Sequence, residues 1–223
     1  MSGEILVLRR GTVPYMEAWE LQRQLQERRK RDEIGDVLLL LEHPPVYTRG
    51  RRAQPGELPM GVEWYEAQGI EVHDSDRGGL VTYHGPGQLV AYPIVQLRGY
   101  GDDVHEYVRG LERTMTGALA AAGVRAGTIE GLTGVWVGTR KIGSIGLHVS
   151  RGVTTHGLAI NVNNDLQPFE WVVPCGIEGV SMTSLTRELG AEQDLEAFAT
   201  ALARRFGEIY CRRPRESTLD EVI

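Results

Sequence analysis

Cys175 stands between Pro174 and Gly176, in Val172-Val173-Pro174-Cys175-Gly176-Ile177. Proline fixes the approach of the chain and glycine leaves the far side of the thiol uncrowded, a setting that suits a nucleophile presented to a ligand. A small buried hydrophobe is the other reading of such a cysteine. Cys211 lies in the polar stretch Tyr210-Cys211-Arg212-Arg213 and is a poorer candidate. Lys141 opens an otherwise apolar, glycine-spaced run, Lys141-Ile142-Gly143-Ser144-Ile145-Gly146-Leu147. Its ammonium lies either at the exposed edge of a strand or inside a site, where a lysine can transfer protons. A third group is Arg77 to Gln88, with four glycines, an arginine and a histidine around one short strand. Within it, Gly85-Pro86-Gly87-Gln88 has the residues of a type II turn, with proline second and glycine third, where φ must be positive. Gly78-Gly79 lets a ligand approach the backbone, since no Cβ intervenes. His156-Gly157-Leu158-Ala159-Ile160-Asn161 is a further polar-then-small entry into a strand. His148 and His156 have the reading of structural residues.

The elements that must position these groups follow from periodicity. Thr12-Val13-Pro14 starts a helix that carries Tyr15, Trp19, Gln22 and Leu25 at helical spacing and ends in the basic run Arg28 to Arg31. That run complements the negative end of the helix dipole or docks an acidic partner. Val37 to Leu41 is too short for a buried helix and is stopped by His43-Pro44-Pro45, so it reads as a strand covered on both faces. Ile70 to His73 and Leu80 to Tyr83 are further strands, as is Gln88 to Leu97, where Pro93 predicts an edge or a bulge. Asp103 with Glu106 starts a helix whose apolar face is Val104, Tyr107, Val108, Leu111, Met115, Leu119 and Ala122, ending at Gly123. A β-meander follows in Gly134 to Val137, Lys141 to Val149 and Val153 to Val162. Thr183 to Leu189 forms a short helix. A last amphipathic helix carries Leu195, Phe198, Leu202, Phe206 and Ile209. Strands bracketed by helices without a βαβ rhythm predict an α+β fold with a mixed or antiparallel sheet flanked by helices. With no repeat or linker, residues 1–223 read as a single domain.

Composition narrows the function. The 223 residues carry 24 Lys and Arg against 30 Asp and Glu, a formal net charge of −6, which argues against duplex nucleic acid as the main ligand. Two cysteines, 36 positions apart, make neither a disulfide framework nor a zinc ligand set, so no metal is expected and a reducing compartment fits. The residues from Met1 to Gly11 have no apolar core of signal-peptide length, and the longest aliphatic run is Val37 to Leu41. Neither export nor membrane spanning is therefore expected. The glycine-rich stretch has neither G-x-x-x-x-G-K-[ST] nor a strand–G-x-G-x-x-G–helix pattern, so nothing demands ATP.

Together, Arg77-Gly78-Gly79-Leu80-Val81-Thr82-Tyr83-His84 with its Gly-Pro-Gly-Gln turn, Lys141 to Gly146, His156 to Asn161 and Pro174-Cys175-Gly176 resemble the lipoyl(octanoyl) transferase family in order and spacing. The early loop Glu42-His43-Pro44-Pro45-Val46-Tyr47-Thr48 with Arg49-Gly50-Arg51 resembles it too, and the likeness runs from about Gly3 to Ile209. The resemblance implies a biotin/lipoate protein ligase fold, related to the core of class II aminoacyl-tRNA synthetases. It implies transfer of an octanoyl group from octanoyl-acyl carrier protein, through a thioester on Cys175, to the lysine of lipoyl domains. The acceptors would be 2-oxoacid dehydrogenase complexes and the glycine cleavage H protein, in the cytoplasm, as the first step of endogenous protein lipoylation. Lys141 then favours the thiolate and shuttles protons. Arg77 to His84, Ser144-Ile145-Gly146 and Gly157-Leu158-Ala159 line the pocket for the acyl chain and acceptor lysine. No cofactor, nucleic acid or membrane is implied. The alternatives are an ATP-dependent lipoate or biotin ligase of the same fold, which would need a basic adenylate-binding loop and no nucleophilic cysteine, and a non-catalytic acyl-binding module.

Overall fold

The computed structural model describes residues 3–101, 103–172 and 180–223; Cys175, with the whole of 173–179, lies outside them. In chain order the helices are α1 (Tyr15–Lys30), α2 (Val62–Ala67), α3 (Val104–Ala121), α4 (Leu185–Leu189), α5 (Leu195–Tyr210) and α6 (Leu219–Val222). The strands are β1 (Gly3–Thr12), β2 (Val37–Glu42), β3 (Val46–Arg49), β4 (Glu71–Asp74), β5 (Val81–His84), β6 (Gln88–Ile94), β7 (Gly127–Ile129), β8 (Leu132–Val137), β9 (Arg140–Ser150), β10 (Val153–Asn161) and β11 (Arg212–Ser217). Eight of these strands form a sheet in the order β11-β1-β2-β6-β10-β9-β8-β7, and β4-β3-β5 form a smaller one. The large sheet is mixed, because β1 runs parallel to both β11 and β2 while the other pairs are antiparallel.

The aliphatic run of β2 is divided by its pleat. Leu38 and Leu40 enter the core beneath α3 and α5, whereas Val37, Leu39 and Leu41 enter the core beneath α1. The unbroken apolar run from Val37 to Leu41 is thus required by helices on both faces. On α3 the Asp103 carboxylate accepts from the His105 backbone N–H at 2.7 Å. The face Tyr107, Leu111, Met115 and Leu119 is buried as the spacing predicts, while Val104 is exposed. Asp194 caps α5 through the Ala197 N–H at 2.9 Å, and Phe198, Leu202 and Phe206 point into the same core.

Two irregularities in the large sheet create the site. Pro93 lies on β6, a central strand between β2 and β10. It has no N–H to give to β10, and the β6–β10 ladder stops at Leu158↔Ala91. Opposite that break the backbone of His156 is left-handed, with φ 57°, and pairing resumes at the bridge Gln96↔Val153. Pro93 therefore marks a break inside the sheet and not its edge. The second irregularity is on β9, where Val135 pairs with Gly143 but Trp136 pairs with Lys141, leaving Ile142 as an extra residue. Such a bulge reverses the face of everything beyond it.

Gly157 follows the break closely. A Cβ there would meet the Ala91 carbonyl and the Pro93 ring, both fixed by the sheet. Gly157→Ala is expected to lower stability by about 1–3 kcal/mol, the usual cost of forcing extra volume into a packed interior. Denaturant unfolding measures this directly, and an unchanged midpoint would mean that β6 and β10 are not in this contact.

Candidate active site

A cavity of about 620 Å³ lies between β9 and β10 of the large sheet and the segment around β5 of the small one, within the range of small-ligand sites. Its apolar walls include Leu80, Val81, Ile145, Leu158 and Ala159. Close backbone approach makes this geometry. The Gly78 N–H donates to the Leu147 carbonyl at 2.8 Å, and a Cβ on Gly146 would come within 2.9 Å of the Gly78 carbonyl oxygen. A Cβ on Gly50 would come within 2.5 Å of the Gly79 carbonyl oxygen. These glycines let the roof lie directly on the floor.

The β9 bulge aims Lys141 into this cavity. Val135 and Gly143 face α3, so strict alternation along an unbulged strand would put Lys141 on their side. Instead Lys141 and its cross-strand neighbour Trp136 both line the cavity, with Nζ 5.3 Å from the indole centroid. Lys141 is only 5% exposed, so it is no edge lysine. Its backbone also holds the chain beyond 173–179. The Lys141 N–H donates to the Ser181 carbonyl and the Thr183 N–H to the Lys141 carbonyl, both at 2.9 Å. On the preceding side, Tyr47 donates to the Pro168 carbonyl at 2.6 Å and Tyr65 to the Trp171 carbonyl at 2.7 Å.

Of the residues singled out from sequence, Arg77, Gly79 to Thr82, His84, Lys141, Ser144 to Gly146 and Gly157 to Ala159 line the cavity. Gly78 does not line it. The Tyr83 side chain turns away to pack with Tyr47, Tyr65 and Phe169. Arg77 is buried, and its guanidinium donates to the Thr48 hydroxyl at 2.8 Å and to the carbonyls of Thr48 and Leu80 at 2.5 and 2.8 Å. It ties the roof segment to β3. The Gly85 turn forms as expected, with Gly87 at φ 84° and the Gln88 N–H donating to the Gly85 carbonyl at 3.1 Å.

Sequence reading missed Tyr15, Tyr92 and Trp136 in the lining, and gave His156, which also lines it, a structural role only. His156 Nε2 lies 2.6 Å from Asp76 Oδ1. Burial would raise the Asp76 carboxyl, but its hydrogen bond and charge interaction with His156 outweigh that and hold it below the usual carboxylate range. Burial is also the largest influence on His156 and lowers it despite Asp76. The pair is therefore a neutral imidazole donating to a carboxylate, and it fastens the roof segment to β10. The basic run at the end of α1 is ion-paired locally: Arg28 and Arg31 with Glu33, Arg29 with Asp32 and Asp36, Lys30 with Glu27. This pattern fits a helix terminus and leaves little for a docking partner. Among the described residues no cluster of three His, Cys, Asp or Glu could hold a metal ion, and no helix is long and apolar enough to cross a membrane.

Buried histidines give the protein an acid limit. His43 donates through Nδ1 to the Val13 carbonyl at 2.7 Å and accepts from the Tyr92 hydroxyl at 2.8 Å. Burial pushes it down to about 4 from 6.5, and pushes His84 and His156 the same way. Below pH 6.5 the unfolded chain then binds more protons than the folded one. The stability is complete above 6.5 and is lost as pH falls towards 4, with His43 alone contributing roughly 3 kcal/mol. Denaturant midpoints measured from about pH 7 to about pH 4.5 should fall steadily. A flat profile would show these imidazoles free to take up protons in the folded state.

Known proteins agree with this geometry. Residues 14–207 match the model of the lipoyl protein ligase A/B catalytic domain. A protein of Chloroflexus aurantiacus named octanoyltransferase is 50% identical over 212 residues, covering 94% of this chain and 95% of its own length. One of the same name from Rubrobacter xylanophilus is 48% identical over 201 residues, covering 89% and 90%. Among solved structures, a bipartite lipoate protein ligase of Thermoplasma acidophilum superposes with a TM-score of 0.76 at 18% identity, covering 99% of this chain and 89% of that one. The biotin protein ligase of Aquifex aeolicus gives 0.53 at 14% identity, covering 93% and 70%. These structures establish that the expected biotin/lipoate ligase fold is the one present. Sequence identity of one half over nearly the full length, with the family model matched over residues 14–207, establishes more: the chain belongs to the lipoyl protein ligase A/B catalytic-domain family.

Proposed function

We propose that this chain is an octanoyltransferase, acting as one catalytic unit over residues 1–223. It takes an octanoyl group from a carrier-protein thioester onto Cys175 and passes it to the lysine amine of a lipoyl domain. The observation that carries the reading is Lys141, a buried amine-bearing side chain turned by the β9 bulge into an apolar-walled cavity. An acyl chain needs such walls, and thioester exchange needs a proton carrier beside them.

In the first half-reaction the Cys175 sulfur attacks the donor carbonyl, a new C–S bond forms, and the old one breaks. Lys141 takes the thiol proton and returns it to the departing carrier thiolate. A free thiol is only a few per cent thiolate at neutral pH, so a nearby acceptor of its proton speeds the attack. In the second half-reaction the amine attacks, a C–N bond forms, and the Cys175 sulfur leaves. Exchange between thioesters is nearly isoenergetic and amide formation from a thioester is downhill, so no nucleotide is needed. Octanoyl-acyl carrier protein as donor, and lipoyl domains of 2-oxoacid dehydrogenase complexes and the glycine cleavage H protein as acceptors, fit this chemistry. A cytoplasmic place fits the two thiols.

Mass spectrometry after mixing with octanoyl-acyl carrier protein, with and without ATP, tests the reading. An octanoyl adduct formed without ATP supports transfer. Acylation of a lipoyl domain that requires ATP and free acid would instead make the chain a ligase, and binding without any adduct would make it an acyl-binding module.

A further inference from the structure

The protonation of His84 is dictated by a chain of amides. Gln88 Nε2 donates to the Tyr83 carbonyl at 3.2 Å and to Asn161 Oδ1 at 2.9 Å, so its Oε1 is the atom 2.6 Å from His84 Nδ1. Asn161 is oriented in turn, because its Nδ2 donates to the Thr183 carbonyl at 3.0 Å and its Oδ1 also accepts from Asn164 Nδ2 at 3.2 Å. Each amide is thus fixed by a backbone carbonyl, which settles the O and N assignments. Gln88 Oε1 can only accept, so His84 Nδ1 carries the proton and Nε2 is left with its lone pair. His84 lines the cavity, with Nδ1 already occupied by Gln88. The ring lies edge-on to His43 with centroids 5.6 Å apart. Burial first, then the neighbouring His43 and Arg77, disfavour an imidazolium, against which the Gln88 hydrogen bond is too weak.

The charged side chains of the lining have the opposite character. Arg52, Arg77 and Lys141 are donors, and among the described residues no lining side chain is a carboxylate. An ammonium entering beside the guanidinium groups of Arg52 and Arg77 is repelled. The acyl chain and the thioester carbonyl offer no donor to an imidazole lone pair, whereas an amine does.

We propose that His84, held in this tautomer by Gln88 and Asn161, accepts a hydrogen bond from the incoming lysine amine, and that the cavity admits that amine uncharged. This deepens the octanoyl-transfer reading and rests on it. In the step concerned, the amine nitrogen attacks the thioester carbonyl carbon, a C–N bond forms, the C–S bond breaks, and one N–H proton must leave nitrogen. His84 does not keep that proton. It holds the N–H so that the nitrogen lone pair faces the carbonyl, and the proton passes through Lys141 to the departing sulfur.

Two measurements on the full-length chain test the proposal. Long-range ¹H–¹⁵N correlation of histidine-labelled protein, with His84 assigned through His84→Gln, should show Nδ1 protonated and Nε2 bare at neutral pH. An Nε2–H tautomer or an imidazolium overturns the proposal without any assay. Separately, His84→Phe should lower kcat/KM for a lipoyl-domain acceptor on the order of tenfold to a hundredfold, and His84→Gln, which keeps an acceptor oxygen, should recover part of it. Octanoyl-adduct formation, followed without acceptor from a simple octanoyl thioester, separates the two ideas. If the wild type forms no adduct, the transfer reading fails. If the wild type forms adduct and His84→Phe loses adduct formation as severely as acceptor transfer, the role given to His84 fails while transfer stands.

Discussion

Cys175→Ser is expected to reduce octanoyl transfer on the order of 10³-fold or more, because a hydroxyl cannot replace a thiol that must be nucleophile and leaving group in turn. Cys211→Ser is the matched control. Cys211 is an exposed residue closing α5 with φ 52°, and surface changes of this kind alter stability by no more than about 0.5 kcal/mol. Its turnover should stay within about twofold of wild type. The contrast is sharp because 173–179 is flanked on both sides by fixed chain. Tyr47 and Tyr65 bind the carbonyls of Pro168 and Trp171 before it, and the backbone of Lys141 binds Ser181 and Thr183 after it. Measuring acceptor turnover and the octanoyl adduct in both variants decides the matter. Equal loss in the two, or an adduct that persists on Cys175→Ser, would remove Cys175 from the reaction.

The parts of the fold that the sequence displays are those whose burial is set locally. β2 is apolar from Val37 to Leu41 because two helical layers cover it, and α3 and α5 show one-sided periodicity ended by Asp caps and, on α3, by Gly123. β11 has no such mark. Arg212-Arg213-Pro214-Arg215-Glu216-Ser217 is a charged, mostly exposed edge strand, held by its parallel ladder to β1 and by ion pairs such as Arg9–Glu216. A partner that lies more than two hundred positions away leaves no local pattern. The short elements β3, β7, α2 and α6 escape because three to six residues are too few to show a periodicity. β1 escapes as well, because its apolar residues are only the four-residue run Ile5 to Leu8.

The site divides in a similar way. Gly78 and Gly79 are legible as places of close approach, expected for a ligand and met in the structure by the Leu147 carbonyl and the Arg77 guanidinium, whereas the close contacts at Gly146 and Gly157 carry no mark beyond the small residue itself. What cannot be read is which way Lys141 points, since one extra residue in a strand turns every later side chain over and leaves composition unchanged. The role of His156 is hidden too. Its conformation depends on a proline sixty-three positions earlier that denies β10 a hydrogen bond.

The direction of Lys141 makes its substitution informative. Lys141→Arg keeps a cation on the cavity face but is expected to lower turnover on the order of 10²- to 10⁴-fold, the range that a positioned proton-transfer group commonly contributes. A guanidinium, with a pKa above ~12, donates hydrogen bonds but cannot release and recover a proton at neutral pH. Shape works in the same direction, since the side chain is enclosed by Trp136, and a Cβ on Gly134 would already stand 2.8 Å from Lys141 Cε. A larger planar group has little room there. Lys141→Met keeps the length, removes the charge and relieves the crowding, so it separates shape from chemistry. If both variants fail while adduct formation slows with them, proton relay is the function lost. If Lys141→Arg turns over within about tenfold of wild type, a fixed positive charge suffices, and the relay through Lys141 is wrong in both half-reactions.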